Sequence, residues 1–509
     1  MIALRSPRFL ACACALFLAL IGTNTSSQQP AARATGAEAA ATDDKPVSRR
    51  TVFQELAAAK DEEAPLSKDS LFGTSPAKEE EAPLSKDSLF GESAAAKPPA
   101  APGPGVKVGG FFDGLGAYTY ADPEHWSRAV GRFALSAQGS AGGGVKWKVG
   151  GRLDVDPVYW GSNQYPDAVK HDQRFSAIWG ENYVDFDAGN WDFRIGAQHI
   201  VWGEVVGLFY ADVVSAHDMR DFLLPSFDVI RIPQGAVRAE YFSGDSHLEL
   251  IWIPIPTFDR IGKPGADFYP VPLPTPLAPE VAALFRDPER PQRTLENSNF
   301  GARVNNVTNG WDWAAFAYRS FSVAPTFYVL PSTDPTQPFV VQPRYDRIWQ
   351  GGGTVTKDFG SVVLRAETVY THGLGYSLAD LRVGDNVVKR STLDTIVGLD
   401  FPMPDDIRLN VQGFDRVFFG GSSDDLAIRN SGFGASVLLS KKFVSLEPQI
   451  LWIQSFEGGG GMIRPRLNWY SGKNTVLAFG ADVFTGSSNG FFGRFNNRDR
   501  LYTELRYDF

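Results

Sequence analysis

From Val106 onward the chain repeats one pattern: short runs in which apolar and polar residues alternate, rich in aromatics and separated by Gly, Asn and Asp turns. A period of two puts successive side chains on opposite faces of a strand, so each run has one apolar and one polar face. In the last run Leu501, Thr503, Leu505, Tyr507 and Phe509 share one face, and Tyr502, Glu504, Arg506 and Asp508 the other. The same split sets Ile407, Leu409 and Val411 against Arg408, Asn410 and Gln412, and Ile463, Leu467 and Trp469 against Arg464, Arg466 and Asn468. A chain built this way is committed to sheet.

The pattern divides into about eighteen strands (sixteen to eighteen). They start near Val106, Ala129, Val145, Arg174, Trp191, Ile232, His247, Ser298, Gly310, Asp346, Gly360, Val388, Asp406, Ile428, Phe443, Gly461, Lys473 and Phe495. Every second connection is short: Ser140–Gly143, Asp187–Asn190, Ser243–Asp245, Thr308–Gly310, Asp358–Gly360, Pro404-Asp405, Lys441-Lys442 and Ser471–Lys473. The others are mostly much longer. Short turns at one end and long loops at the other predict an all-β fold, a transmembrane antiparallel β-barrel over 106–509 with both termini periplasmic. The interior of so many strands is too wide for side chains to fill. The polar face is therefore expected to line water and the apolar face to meet lipid.

The segment before the barrel differs in kind. Arg5 and Arg8 precede an apolar stretch, Phe9–Gly22, that is short for a bilayer span and reads as a secretory signal peptide over about residues 1–27. Both cysteines, Cys12 and Cys14, lie inside it, so the mature chain is expected to hold no disulfide framework or thiolate metal site. Cys12 is a poor lipidation site, because Phe9-Leu10-Ala11 puts bulky residues before it. Residues 28–105 are Ala, Pro, Lys, Glu and Ser with few aromatics, and predict a disordered periplasmic tether. Within the tether the twelve residues EEAPLSKDSLFG occur twice, at Glu62–Gly73 and Glu80–Gly91. One reading is an unconstrained duplication. The other is a duplicated peptide whose apolar anchors, Leu71-Phe72 and Leu89-Phe90, engage a periplasmic or inner-membrane transporter partner. The formal charge is -9 and no Lys/Arg block appears, which argues against nucleic acid.

The polar faces of the strands carry both signs. Arg194, Arg238, Arg365, Arg408, Arg464, Arg466 and Arg506 are basic, and Glu240, Glu249, Glu367 and Glu504 acidic, all at positions expected to face the lumen. They either pair across neighbouring strands or set up a transverse field that orients a polar solute. The balance of signs disfavours strong anion selectivity. Between two of these strands, Gly203–Phe227 is unusually hydrophobic for an external loop and is expected to fold inward as a constriction. Trp202, Glu204, Asp212, His217, Asp218, Arg220 and Asp221 are its candidate residues; packing of His217 is favoured over a metal site. A second long connection, Pro256–Glu296, is Pro-rich with a short helix predicted over Pro279–Phe285, and could form a cap.

The runs RIGAQHIVWGE (194–204), ADVVSAHDMRDFLLP (211–225) and RIPQGAVRAEY (231–241) resemble the pattern of an uncharacterised proteobacterial outer-membrane barrel family. That family is loosely grouped with alginate-export-type barrels and associated with resistance-nodulation-division transporters. The resemblance implies transport across the outer membrane. It would also imply a strongly basic lumen for a polyanionic substrate, and the mixed lumen departs from that.

The sequence thus predicts an outer-membrane channel or facilitated transporter for a small amphipathic or hydrophobic solute, with no cofactor and no metal. Its expected partners are outer-membrane lipid and the barrel-assembly machinery, which would read the last strand ending at Phe509. A partner-docking component of an export system is the second reading. An enzyme is not expected: the chain has neither a His-Glu-x-x-His nor a P-loop sequence, and its six histidines lie in no triad context.

Overall fold

The computed structural model describes residues 105–509, apart from 206, 275, 381–383, 422–423 and 430–431. The expected signal sequence and tether, with Leu71, Phe72, Leu89 and Phe90, lie outside the described residues. Eighteen barrel strands follow: β1 Lys107–Thr119, β2 His125–Gly142, β3 Val145–Val155, β4 in two segments (Phe175–Trp179 and Asn182–Ala188), β5 Trp191–Gln198 and β6 Gln234–Ser243. Next are β7 Ser246–Ile253, β8 Asn299–Thr308, β9 Trp311–Phe321, β10 Arg347–Asp358, β11 Val363–Ser377 and β12 Val387–Met403. The last are β13 Ile407–Phe419, β14 Gly434–Lys441, β15 Leu446–Ser455, β16 Gly460–Tyr470, β17 Thr475–Thr485 and β18 Arg500–Asp508.

Each strand pairs antiparallel with the next, and β1 pairs with β18 from Phe111↔Asp508 to Thr119↔Arg500. The barrel is closed and leaves no open sheet edge. At the seam Phe509 and Gly110 exchange both backbone hydrogen bonds at 2.9 Å. Gly110 suits this position because a Cβ there would sit 2.1 Å from the Ala134 carbonyl oxygen.

Outward-facing residues are apolar on strand after strand: Phe112, Leu135, Val149, Phe300, Val397, Phe479 and Leu505 are all exposed. Aromatics gather at both ends of this surface. Trp126, Trp349, Phe419 and Phe456 ring the long-loop end; Trp311, Phe359, Trp469, Tyr507 and Phe509 ring the short-turn end. An apolar band between two aromatic belts fits a bilayer and its two interfaces.

The interior differs from the expectation in one respect. The inward polar face was expected to line water, yet Asp113, Arg128, Arg132, Asp482 and Arg500 are buried. Loops entering from the long-loop end cover them. Three buried apolar clusters lie in the lumen and its mouth, where loop residues meet the wall. The helix in the second long connection spans Pro279–Ala282, shorter than predicted, because the chain turns after Ala283 to pair with the neighbouring hairpin Thr326–Pro331/Phe339–Arg344.

Candidate functional site

The connection from β5 to β6, residues 199–233, enters the barrel and crosses it. Trp202 leads the entry and is fully buried. Its indole N–H donates to Glu249 of β7 at 3.1 Å, and its ring packs on Phe316 and Tyr318 of β9, with centroids 5.1 and 5.7 Å away. Gly301 on β8 makes room for it, since a Cβ there would lie 2.7 Å from the indole edge. Glu204 accepts from Arg303 at 3.3 Å and from the Thr354 and Thr356 hydroxyls of β10.

Glu367 on β11 is the central anchor. It is buried, and it accepts hydrogen bonds from three backbone N–H groups of the loop: Glu204, Val205 (2.6 Å) and Ala211 (2.8 Å). A loop inside a protein must place its backbone donors somewhere, and this carboxylate takes three of them.

The far end of the loop is held by arginines on the opposite wall. Asp221 accepts from Arg128 of β2 at 2.8 Å and lies 3.8 Å from Arg500 of β18. Asp228 accepts from Arg506 of β18 at 2.7 Å, and Arg152 of β3 donates to the Val229 carbonyl at 2.9 Å. Asp218 and Arg220 form a bidentate pair at 2.8 and 2.6 Å, from which Arg220 reaches Ser176 of β4. Since β2 and β11 lie half a circumference apart, the loop spans the lumen from wall to wall. Burial alone would favour neutral acids, but the facing arginines outweigh it. Arg220 and then Arg260 hold Asp218 far below the usual carboxylate range, Arg128 and Arg500 lower Asp221, and Arg506 lowers Asp228.

His217 sits mid-loop, buried. Its backbone N–H donates to Asp259 at 2.7 Å, while its ring nitrogens stand 3.7 Å from Asp259 and 3.9 Å from Asp212, at ion-pair distance. Burial disfavours the imidazolium, yet the flanking carboxylates of Asp212 and Asp259 prevail and push its pKa up to about 9. Arg231 takes Asp212 at 3.1 Å. No group of metal-ligating side chains forms here or elsewhere among the described residues.

All seven constriction candidates, Trp202, Glu204, Asp212, His217, Asp218, Arg220 and Asp221, are therefore brought into one buried assembly. The lumen candidates all face inward but divide. Glu249 and Glu367 hold the loop on one side, and Arg506 holds it on the other. Arg194, Arg238, Arg365 and Arg466 pair along the wall with Asp185, Glu240, Asp400 and Glu504 at 2.6–2.9 Å, and Arg464 pairs with Asp482 at 2.9 Å. Arg408 shares the inner face near the short-turn end. Sequence reasoning did not single out Arg128, Arg132, Asp228 or Arg500. Arg128 and Arg132 do carry a signal, because they flank inward-facing Val130 at period two.

Beside the loop lies a cavity of about 370 Å³ that Phe209, Leu223, Val369, Phe414 and Phe491 line together with His217, Tyr376 and the Asp394–Arg416 pair. It lies on the long-loop side of Glu367. The second long connection lies over the mouth. Its Tyr269 packs on Phe285 and Phe327, and its buried Asp267 accepts from Tyr165 (2.7 Å), His125 (3.1 Å) and Arg498 (3.3 Å). One stretch, Gly486–Gly490, fits a Gly-x-Ser-x-Gly spelling, but it is a loop before β18 with Ser488 exposed, unlike a nucleophile elbow. His372 hydrogen-bonds Ser391 at 2.9 Å on the exposed outer surface.

A closed eighteen-strand barrel with an apolar, aromatic-belted exterior, a charged interior and an in-folded loop is an outer-membrane β-barrel. No family model matches the chain, and no curated protein matches it. Solved structures similar to it include Salmonella typhi OmpF in complex with daunomycin, at 9% identity over 80% of this chain and 98% of that one, with a TM-score of 0.39. Pseudomonas aeruginosa OccK8 (OprE) is 10% identical over 79% of this chain and 97% of its own, with a TM-score of 0.46. OccK2 (OpdF) of the same organism, in complex with glucuronate, is 11% identical over the same shares, with a TM-score of 0.44.

Proposed function

We propose that this barrel is a channel or facilitated transporter for a small amphipathic or hydrophobic solute, with residues 199–233 as its constriction. One observation carries the reading: a loop tied to opposite walls by Glu367 and Arg128 crosses the lumen of an eighteen-strand barrel, and leaves a mixed apolar and polar cavity at its side. Most of the charged wall residues satisfy one another and others hold the loop, so shaping the field is a secondary role. No catalytic step enters this reading. Outer-membrane lipid and the assembly machinery reading the Phe509 strand belong to it as partners.

Kinship with alginate-export-like barrels also belongs to the proposal on the resemblance of residues 194–241, and the residues that carry the resemblance have structural roles here. Gln198 donates to Ala236 O, Gln234 bridges Val214 and Thr257, and Trp202 and Glu204 dock the loop. The test is conductance in planar bilayers. The intact protein should conduct weakly, and deletion of Gly207–Leu223 should raise conductance several-fold; silence of both proteins overturns the reading.

A further inference from the structure

We propose that the cavity beside the loop is an outward-facing binding site for an uncharged, largely apolar molecule bearing a hydrogen-bond-accepting oxygen. The inference rests on the channel reading for the site's place on a solute path, but not for the binding itself.

The first ground is shape. At about 370 Å³ the cavity falls within the range of small-molecule sites, and its walls are chiefly aromatic and aliphatic, with Phe209 and Leu223 from the loop facing Val369 and Phe414 from the barrel. The second ground is charge. Asp212, Asp259 and Asp394 line the cavity on the acidic side, and His217, Arg416 and Arg429 on the basic side. Most are already engaged. Arg416 grips Asp394 through two nitrogens, Arg231 takes Asp212, and Asp259 accepts the His217 backbone N–H. An anion would meet three carboxylates and a cation three basic groups, so neither gains a net field. The third ground is a set of buried polar atoms left over. His217 Nε2, which stands 3.9 Å from Asp212, and the Tyr376 hydroxyl are both buried on lining residues and lack a hydrogen-bond partner, as does Arg429 Nε. Thr392 neighbours the Tyr376 hydroxyl but makes no hydrogen bond of acceptable geometry with it. Buried polar atoms of this kind are costly, and a ligand oxygen would satisfy them.

The test uses the full chain in detergent and four probes that share a naphthalene body. These are 2-acetylnaphthalene (a ketone), 2-ethylnaphthalene (no acceptor), 2-naphthoate (an anion) and 2-naphthylmethylammonium (a cation), measured by equilibrium dialysis against empty micelles. The ketone should saturate one site and bind about tenfold more tightly than the hydrocarbon or either ion. Tyr376→Phe keeps the ring and should bring ketone affinity toward that of the hydrocarbon, which itself should not change. Absence of saturable ketone binding, equal affinity for ketone and hydrocarbon, tighter binding of an ion, or an unaffected Tyr376→Phe each overturns the proposal. Conductance of the same preparation separates the two readings: specific ketone binding by a silent barrel sinks the channel and keeps the site, and the converse result does the opposite.

Discussion

The 199–233 and 254–298 connections both leave the long-loop end of the barrel and both are rich in large apolar residues, yet one crosses the lumen and the other lies over its mouth. The difference lies in what each brings to the surface it meets. Inside the barrel the wall presents its polar face, and the first loop carries Glu204, Asp221 and Asp228 to Arg303, Arg128 and Arg506. Its backbone donors find Glu367. The second loop meets other loops and the strand ends and is held by rings, with Tyr159 and Tyr165 tilted against each other at 4.9 Å beside Ile261 and Tyr269, Phe268 packed on Phe484, and Asp267 as a polar rivet. Entry into a polar lumen requires complementary charges and a place for each backbone N–H, whereas covering the mouth requires mainly apolar area.

The comparison is broken most directly at Glu367. Glu367→Ala leaves three buried N–H groups without their acceptor, a local cost of about 3–5 kcal/mol. Conductance should rise several-fold and residues 207–223 should become open to externally added protease, with Glu367→Gln intermediate. If neither measurement moves, the loop is not held from β11. A smaller effect is expected in the cap. Asp267→Asn weakens its links to His125, Arg498 and Tyr165 at a cost of about 2–3 kcal/mol. Proteolysis between Lys263 and Pro291 should accelerate while conductance stays within about twofold of the intact protein. A conductance gain matching that of Glu367→Ala would erase the distinction between the loops.

Acidity offers a gentler probe. Because the folded His217 pKa is raised to about 9 from an ordinary 6.5, its ion pairs contribute fully below about pH 6.5 and fade as pH rises through about 9. Loop anchoring should loosen from pH 7 to 10, seen as a rise in open-state conductance that His217→Gln flattens. A profile unchanged by that substitution would remove His217 from the anchoring set. The smallest effect belongs to the solvent-facing pairs Lys263–Asp287 and Arg344–Glu289. Asp287→Asn and Glu289→Gln should leave thermal unfolding unchanged, since water and salt screen such pairs. A clear shift at either would show that the cap depends on charge as the lumen loop does.

Much of the barrel was legible in the sequence. All eighteen strands lie where alternation put them, most within three residues. Three offsets are larger: Ala129 against His125, Ile428 against Gly434 and Phe495 against Arg500, the last two falling where Phe433, Phe492 and Phe495 end long loops. Those aromatics read as strand, but they serve loop packing and the outer belt. The inward-facing residues were legible too, because period two fixes a face. Their partners were not. Glu204 with Arg303, Asp221 with Arg128 and Asp228 with Arg506 join positions far apart in the chain, and only the loop's path chooses them.

The sequence by itself determined a closed barrel of alternating faces, its short-turn and long-loop ends, and an apolar exterior, since strand periodicity and turn chemistry are local properties. The tertiary structure alone decided that the in-folded loop reaches from wall to wall, that Glu367 gathers three backbone donors, and that His217 and Tyr376 border one cavity. Those outcomes depend on which groups a loop meets across a lumen, a distance that no local pattern encodes.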